Sequence, residues 1–433
     1  MFKLLNTVIV SACKSKGIPQ KLSQLIQSRT FLSQAYYCNE VWEQRFQDPL
    51  LQKVNLDELY NELDQKYQKS RNISAVDVDI FVNAVKEETY DDEMLDLVHK
   101  LRMSADSYNS LSSTSHGIIR NLSNFGKTEQ LLSVLDDRLN YGIFLDDYTA
   151  NLLLDTFWKK KDYLSGARTA SQLMLQEEFE HPLCTSLSLL HCYNYLLNPT
   201  EWPQPPKPDE PEEEVKIRVN YLRNPYDDNH FDLRDPIKIV GKTLLMATKQ
   251  LRNTLDKSLH LLGLALFEAN EEANQLIEKL SKNNDKIYED ILKLIPEENS
   301  IKLQMKKLQT ESADIQQLLQ ENVKLAEQKV AEKDVALQCE TYAKWEQERK
   351  QALERQHERL LTAKRLANIE ETQKQLKEKE ELLWYFENEE KIELQIEEKK
   401  ALLEEHAKKH QTKPKIKTDD TYLPPEIVKK YVQ

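Results

Sequence analysis

The chain has 433 residues, a formal net charge of −13, 31% charged residues and only 7 Gly. That length holds two or three domains, and scarce Gly with abundant Leu, Lys, Glu and Gln favours an all-α protein. The acidic balance argues against unaided, non-specific nucleic-acid binding, which needs a basic surface. The five Cys are scattered and odd in number, which suits a reducing compartment better than a disulfide framework. No run approaches the roughly 18 apolar residues of a membrane span.

Residues 1–34 carry Lys3, Lys14, Lys16, Lys21 and Arg29, interspersed serines and no acid before Glu40. This is the composition of a mitochondrial transit peptide, and Val8-Ile9-Val10 is too short for a secretory core. Arg29-Thr30-Phe31-Leu32-Ser33 is the candidate processing stretch. A charged helical lead-in follows, with Trp42, Leu56, Leu59 and Leu63 expected to pack on the first of a set of helical hairpins.

The hairpins occupy the rest of a domain spanning 35–197. Their clearest copy is Tyr141–Gln176. One helix is predicted from about Tyr148 to Lys159, with Leu152, Leu153, Thr156 and Phe157 on one face. A second runs from about Tyr163 to Leu175, with Leu164, Ala167, Ala170, Leu173 and Met174 on its apolar stripe. Asp147 is the predicted cap of the first. Small residues Gly166, Ala167 and Ala170 should let the two helices approach closely. Shifting by 35 positions puts Leu153 on Ile118, Leu154 on Ile119, Phe157 on Leu122, Ala170 on Leu135 and Met174 on Leu139. The same shift lays Phe125-Gly126-Lys127 on Lys160-Lys161-Asp162, and a weaker copy begins near Ile80. A helical hairpin recurring at about 35 residues marks a tetratricopeptide- or pentatricopeptide-type solenoid.

Residues 198–214 hold six prolines and six acids, so 198–236 reads as an acidic, Pro-rich linker with an irregular segment. Residues 237–295 resume the helical pattern and are expected to close the solenoid. Between 297 and 413 there is neither Gly nor Pro, and charges of both signs nearly balance. The apolar seam Leu308, Ile315, Leu319, Val323, Val330, Leu337, Leu353, Leu360, Leu376 and Leu383 has the fours and sevens of a coiled coil or long helical hairpin. The seam lapses near Cys339–Lys350 and Leu366–Gln375, which predicts a broken rod or a fold-back. Trp345, Trp384, Tyr385 and Phe386 are its large anchors. Residues 414–433 read as an extended tail that orders on a partner.

No motif supports catalysis. Glycine-rich phosphate loops are missing from the sequence. His181, Cys184, His191 and Cys192 lack paired zinc-ligand spacing, so no cofactor or metal is expected. Acid runs such as Asp91-Asp92-Glu93 read as solvated faces or cap charges rather than an acid/base pair. No small-molecule substrate and no membrane partner are indicated.

Tyr141-Gly142-Ile143-Phe144, Asn151-Leu152-Leu153, Lys159-Lys160 and Met174-Leu175-Gln176-Glu177 together resemble one family, the pentatricopeptide-repeat protein of the mitochondrial small ribosomal subunit numbered twenty-seven there. The resemblance is close over about Leu139–Leu197 and looser elsewhere. It implies a structural, non-enzymatic component in the mitochondrial matrix that contacts small-subunit rRNA and neighbouring ribosomal proteins and supports mitochondrial translation. Members of that family are also described as touching transfer RNA. The candidate RNA-binding residues are the hairpin cations Arg120, Lys127, Arg138, Lys159, Lys160, Lys161 and Arg168, which stacked repeats would align at the solenoid surface. The base-reading position of such repeats falls on Leu152 and, one repeat earlier, on Gly117, neither of which can read a base edge. That favours a degenerate docking solenoid over a programmable reader. The alternative from another class is a mitochondrial coiled-coil scaffold or tether that binds only proteins.

Overall fold

A computed structural model describes residues 31–203, 233–296 and 299–411. The expected leader over 1–34, apart from residues 31–34, therefore lies outside the described residues, as do most of the acidic linker and the tail over 414–433.

Apart from two three-residue strands, the described chain is all-α. A 3-10 turn over Gln34–Tyr37 leads into α1 (Asn39–Gln44) and α2 (Pro49–Gln52). Helix α3 (Leu56–Ser70) is capped by the Asn55 side chain, which accepts from the Asp57 amide, and it buries Leu63. Five hairpins follow: α4 (Ala75–Ala84) with α5 (Asp91–Arg102), α6 (Ser112–Asn124) with α7 (Thr128–Asp136), and α8 (Asp147–Lys160) with α9 (Tyr163–Gln176). The fourth pairs α10 (Pro182–Leu197) with α11 (Pro236–Ala247), and the fifth α12 (Thr254–Phe267) with α13 (Asn270–Asn283). The acidic, Pro-rich stretch thus lies between the two helices of the fourth hairpin. First helices pack side by side, α4 on α6, α6 on α8 and α8 on α10; second helices do the same, α7 on α9 and α9 on α11. Each hairpin covers its neighbour's apolar face, which is how a solenoid builds a core from units that cannot bury one alone.

Local signals explain where the helices begin and end. Helix α8 is capped by Asp146, one residue before the expected Asp147. The Asp146 carboxylate accepts from the Thr149 amide at 2.8 Å, and Thr149 Oγ1 accepts from the Asp146 amide at 3.3 Å. Only Asp146 has a hydroxyl three residues ahead to return the bond. Gly126 (φ +76°) and, 35 positions on, Lys161 (φ +57°) both end their helices in the left-handed region. In each, the next amide reaches back to a helical carbonyl: Lys127 to Leu122 at 3.0 Å and Asp162 to Phe157 at 2.9 Å. This is the Schellman geometry that terminates a helix. The repeat register fails at its far end: Leu139, matched to buried Met174, is 83% exposed because α7 stops at Asp136. Gly166 faces α10 rather than α8. A Cβ there would stand 2.0 Å from His191 Nδ1, so glycine sets the α9–α10 approach.

Beyond α13 come β1 (Lys286–Tyr288), α14 (Asp290–Leu294), α15 (Ser300–Met305) and β2 (Gln309–Glu311). The strands pair in parallel, with Ile287 opposite Thr310. The last described element is α16, a single helix of 97 residues, Ile315–Gln411. The expected broken rod or hairpin is corrected here: with neither Gly nor Pro to interrupt it, the helix runs through both lapses in the seam. A compact unit ends at Leu353, so the first part of α16 belongs to the same unit as the hairpins, and a second unit begins at Glu354. Ile315, Leu319, Val323 and Ala326 enter the core shared by α8 to α15, whereas Leu353 and Ala352 pack on Val76, Ile80 and Ala84. In the second unit Leu360, Leu376, Leu383, Trp384 and Phe386 are exposed.

Candidate nucleic-acid interface

The first helices of the hairpins present a row of polar side chains, and within this unit the row is already occupied. From the N-terminal part of α16, successive residues meet successive hairpins in reverse order. Gln316 Nε2 donates to Asn194 Oδ1 of α10 at 2.9 Å. Asp334 pairs with His181, the N-cap of α10, at 3.1 Å. Tyr342 Oη accepts from Arg120 Nη1 of α6 at 2.9 Å and lies 3.0 Å from His116 Nε2. Arg349 Nε donates to Asp79 Oδ2 of α4 at 2.6 Å. The N-terminal segment fills the same row: Tyr36 Oη accepts from Asn151 Nδ2 of α8 at 3.0 Å and donates to Asp334 at 2.9 Å.

The electrostatics follow from this enclosure. Burial, assisted by the Arg120 charge, lowers Arg45 to about 9, where its guanidinium lies 3.8 Å over the Trp42 ring. Burial raises Tyr342 to about 12. His116 is pushed down by burial, against the pull of Asp146. For His181 burial also acts downward, but the Asp334 carboxylate outweighs it and the value rises.

The seven expected RNA-binding cations separate into two groups. Arg120 and Arg168 are only 4% and 3% exposed, so they do not line the solenoid surface as expected. Arg120 is held by Tyr342, Asn39 and the Tyr37 carbonyl. Arg168 bridges Glu129 at 3.0 Å and Asp136 at 2.8 Å, tying α9 to α7. Lys127 pairs with Asp91 and Glu88. Lys159 reaches Asp155 at 3.0 Å and donates to Tyr37 Oη at 2.6 Å. Arg138 is half-buried just after α7, and Lys160, the last residue of α8, and Lys161, its C-cap, are exposed. Long cationic side chains held by partners in other parts of the fold are indistinguishable in the sequence from solvated ones.

Asp91 corrects the reading of its acid run: it is buried in the first turn of α5 against Lys127. Of the His/Cys set, His181 caps α10, His191 Nε2 lies 2.8 Å from the Leu154 carbonyl, and Cys184 and Cys192 are buried in the core. Burial brings His191 down to about 4, against the upward pull of the Leu154 carbonyl, and burial alone takes Cys192 up to about 12. Leu152 is inside the core, and a Cβ on Gly117 would meet Val82 Cγ1 at 2.9 Å. One residue earlier, Asn151 and His116 are equally enclosed, by Tyr36 and Tyr342.

Sequence reasoning missed Asp79, Asn151, Asp334, Tyr342 and Arg349. Two signals carried them: polar residues set in apolar helices, as in Val78-Asp79-Ile80-Phe81, and the ridge 334, 338, 342, 345, 349 at helical spacing.

The family model described as MRP-S27, Mitochondrial 28S ribosomal protein S27, matches residues 4–375, which takes in every hairpin and the part of α16 that packs on them. By that match the chain belongs to the mitochondrial 28S ribosomal protein S27 family and is a component of the small subunit of the mitochondrial ribosome.

Proposed function

We propose that the chain is a structural, non-catalytic RNA-binding component of the subunit, contacting small-subunit rRNA and supporting mitochondrial translation. The family match over residues 4–375 carries this reading. The filled polar row supports docking by the outside of the stack rather than base reading, because a nucleotide would have to displace Tyr36, Tyr342 and Arg349. Lys160 and Lys161 are the cations best placed to meet phosphate: both are exposed at the end of α8, and Lys161 is held by the left-handed turn. In this reading the basic stretch ahead of Phe31 is the mitochondrial leader, and exposed apolar residues of Glu354–Gln411 meet a ribosomal protein neighbour.

Sucrose-gradient sedimentation of mitochondrial lysate tests the proposal. The chain should travel with the small subunit and leave that position after ribonuclease treatment. A light species indifferent to ribonuclease would favour the protein-only tether. Within a ribosomal role, Lys160→Glu with Lys161→Glu should weaken subunit association while leaving the melting temperature unchanged. Unaltered association would remove this turn from the RNA face.

A further inference from the structure

The carboxylate of Asp155 has no exposed surface, and what it grips is the backbone of the chain's own N-terminal segment. Oδ1 accepts from the Phe31 amide at 2.9 Å and from the Leu32 amide at 3.3 Å. Oδ2 accepts from Tyr37 Oη at 2.6 Å and pairs with Lys159 at 3.0 Å. Phe31 and Leu32 also make hydrophobic contacts. The Phe31 ring lies 5.2 Å from that of Trp158, and Leu32 is 3% exposed within the core. A buried carboxylate is retained where charged or polar partners satisfy it, and here one of its two oxygens has only amide donors.

We propose that Asp155 is a binding site for a primary ammonium, and that the ammonium is the α-amino group of Phe31, exposed by proteolytic removal of the leader. The step is hydrolysis of the Thr30–Phe31 peptide bond by a mitochondrial processing peptidase: water adds across the bond, leaving a carboxylate on Thr30 and an ammonium on Phe31. The nitrogen that now donates as an amide becomes a cation 2.9 Å from Oδ1, and a charge-assisted bond is about twice as strong as a neutral one. A cut at this bond keeps both hydrophobic anchors. Cutting one residue later removes Phe31 from Trp158, and two residues later removes buried Leu32. The inference rests on the leader reading, and it agrees with the separate observation that Arg29 is the last basic residue before Glu40.

Two measurements test it. N-terminal peptide mass spectrometry of the chain from purified mitochondrial small subunits should find Phe31 as the first residue, with a free amine. A chain retaining Met1 would overturn the leader reading and this inference together. Any other first residue would overturn this inference alone. Then the chain beginning at Phe31 should be compared with one beginning at Thr30, each released from a cleavable fusion. The Phe31 form should melt higher, by about 2 °C or more, and Asp155→Asn should abolish the difference. Equal melting of the two forms, or a difference that survives Asp155→Asn, would overturn the ammonium site.

Discussion

The two stretches of α16 share one composition and have opposite environments. Residues 315–353 and 354–411 are both rich in Lys, Glu and Gln with interspersed Leu, and no Gly or Pro marks a boundary between them. In the first, Trp345 is buried and Tyr342, Arg349 and Asp334 are engaged by buried partners. In the second, Leu383, Trp384 and Phe386 are all more than half exposed. Composition therefore does not decide whether a charged helix is core. What decides is whether its polar ridge meets complementary polar groups set in apolar faces elsewhere: Asp79 for Arg349, Arg120 and His116 for Tyr342, His181 for Asp334.

The comparison breaks most severely at Arg349. Its side chain and that of Asp79 are 5% and 0% exposed and form a 2.6 Å pair. Arg349→Ala leaves a buried carboxylate with neutral donors only, from Ser113, Thr114 and Asn83. Removing one partner of such a pair costs about 3–5 kcal/mol, visible as an early denaturant midpoint. A double variant, Arg349→Met with Asp79→Leu, should recover most of that loss. If Arg349→Ala unfolds at the parental midpoint, the first stretch of α16 is not part of the folding unit.

Tyr342→Phe is the next largest. It keeps the ring between Trp42 and Trp345 but deprives Arg120 Nη1 and His116 Nε2 of the hydroxyl. Leaving buried polar groups without a partner costs about 1–3 kcal/mol. A smaller effect tied to pH is expected at Asp334. Because His181 titrates above its ordinary 6.5 when paired with Asp334, its contribution is complete below pH 6.5 and is lost as pH rises through the raised value. Asp147 adds to the upward pull and Lys333 opposes it. The stability gap between the parent and Asp334→Asn should accordingly shrink from pH 6 to pH 8. A gap that widens over that range would assign the pair no ionic role.

Much of the hairpin fold was readable because helix period, caps and turn residues act locally. Leu153, Phe157, Ala170 and Leu173 announced their burial by spacing, and Gly126 and the Lys160–Asp162 turn announced the helix ends. The cap slipped by one residue, to Asp146, because two adjacent acids compete and only a third residue, Thr149, decides between them. The course of α16 was not readable, since the lapse in its apolar seam at Cys339–Lys350 is where polar residues pack against partners more than 220 positions away. The RNA-binding candidates failed to resolve for the same reason. Arg120 and Lys160 are alike as letters, and only the positions of Tyr342, Asn39 and Tyr37 make the first an internal strut.

The mildest change tests the other side of the comparison. Trp384 is 58% exposed in the unit that begins at Glu354, and the rings of the next two residues, Tyr385 and Phe386, pair with each other at 6.0 Å. An exposed substitution away from caps and networks usually shifts stability by no more than about 0.5 kcal/mol, so Trp384→Ala should leave the denaturant midpoint of the isolated chain where it was. Large aromatic side chains standing in water are, however, the residues that anchor protein interfaces. The same substitution should then lower the fraction of chain that sediments with the small subunit, with the midpoint unmoved. A shifted midpoint with normal sedimentation would mean that Trp384 supports its own fold, and that the contrast between the two stretches of α16 is one of degree.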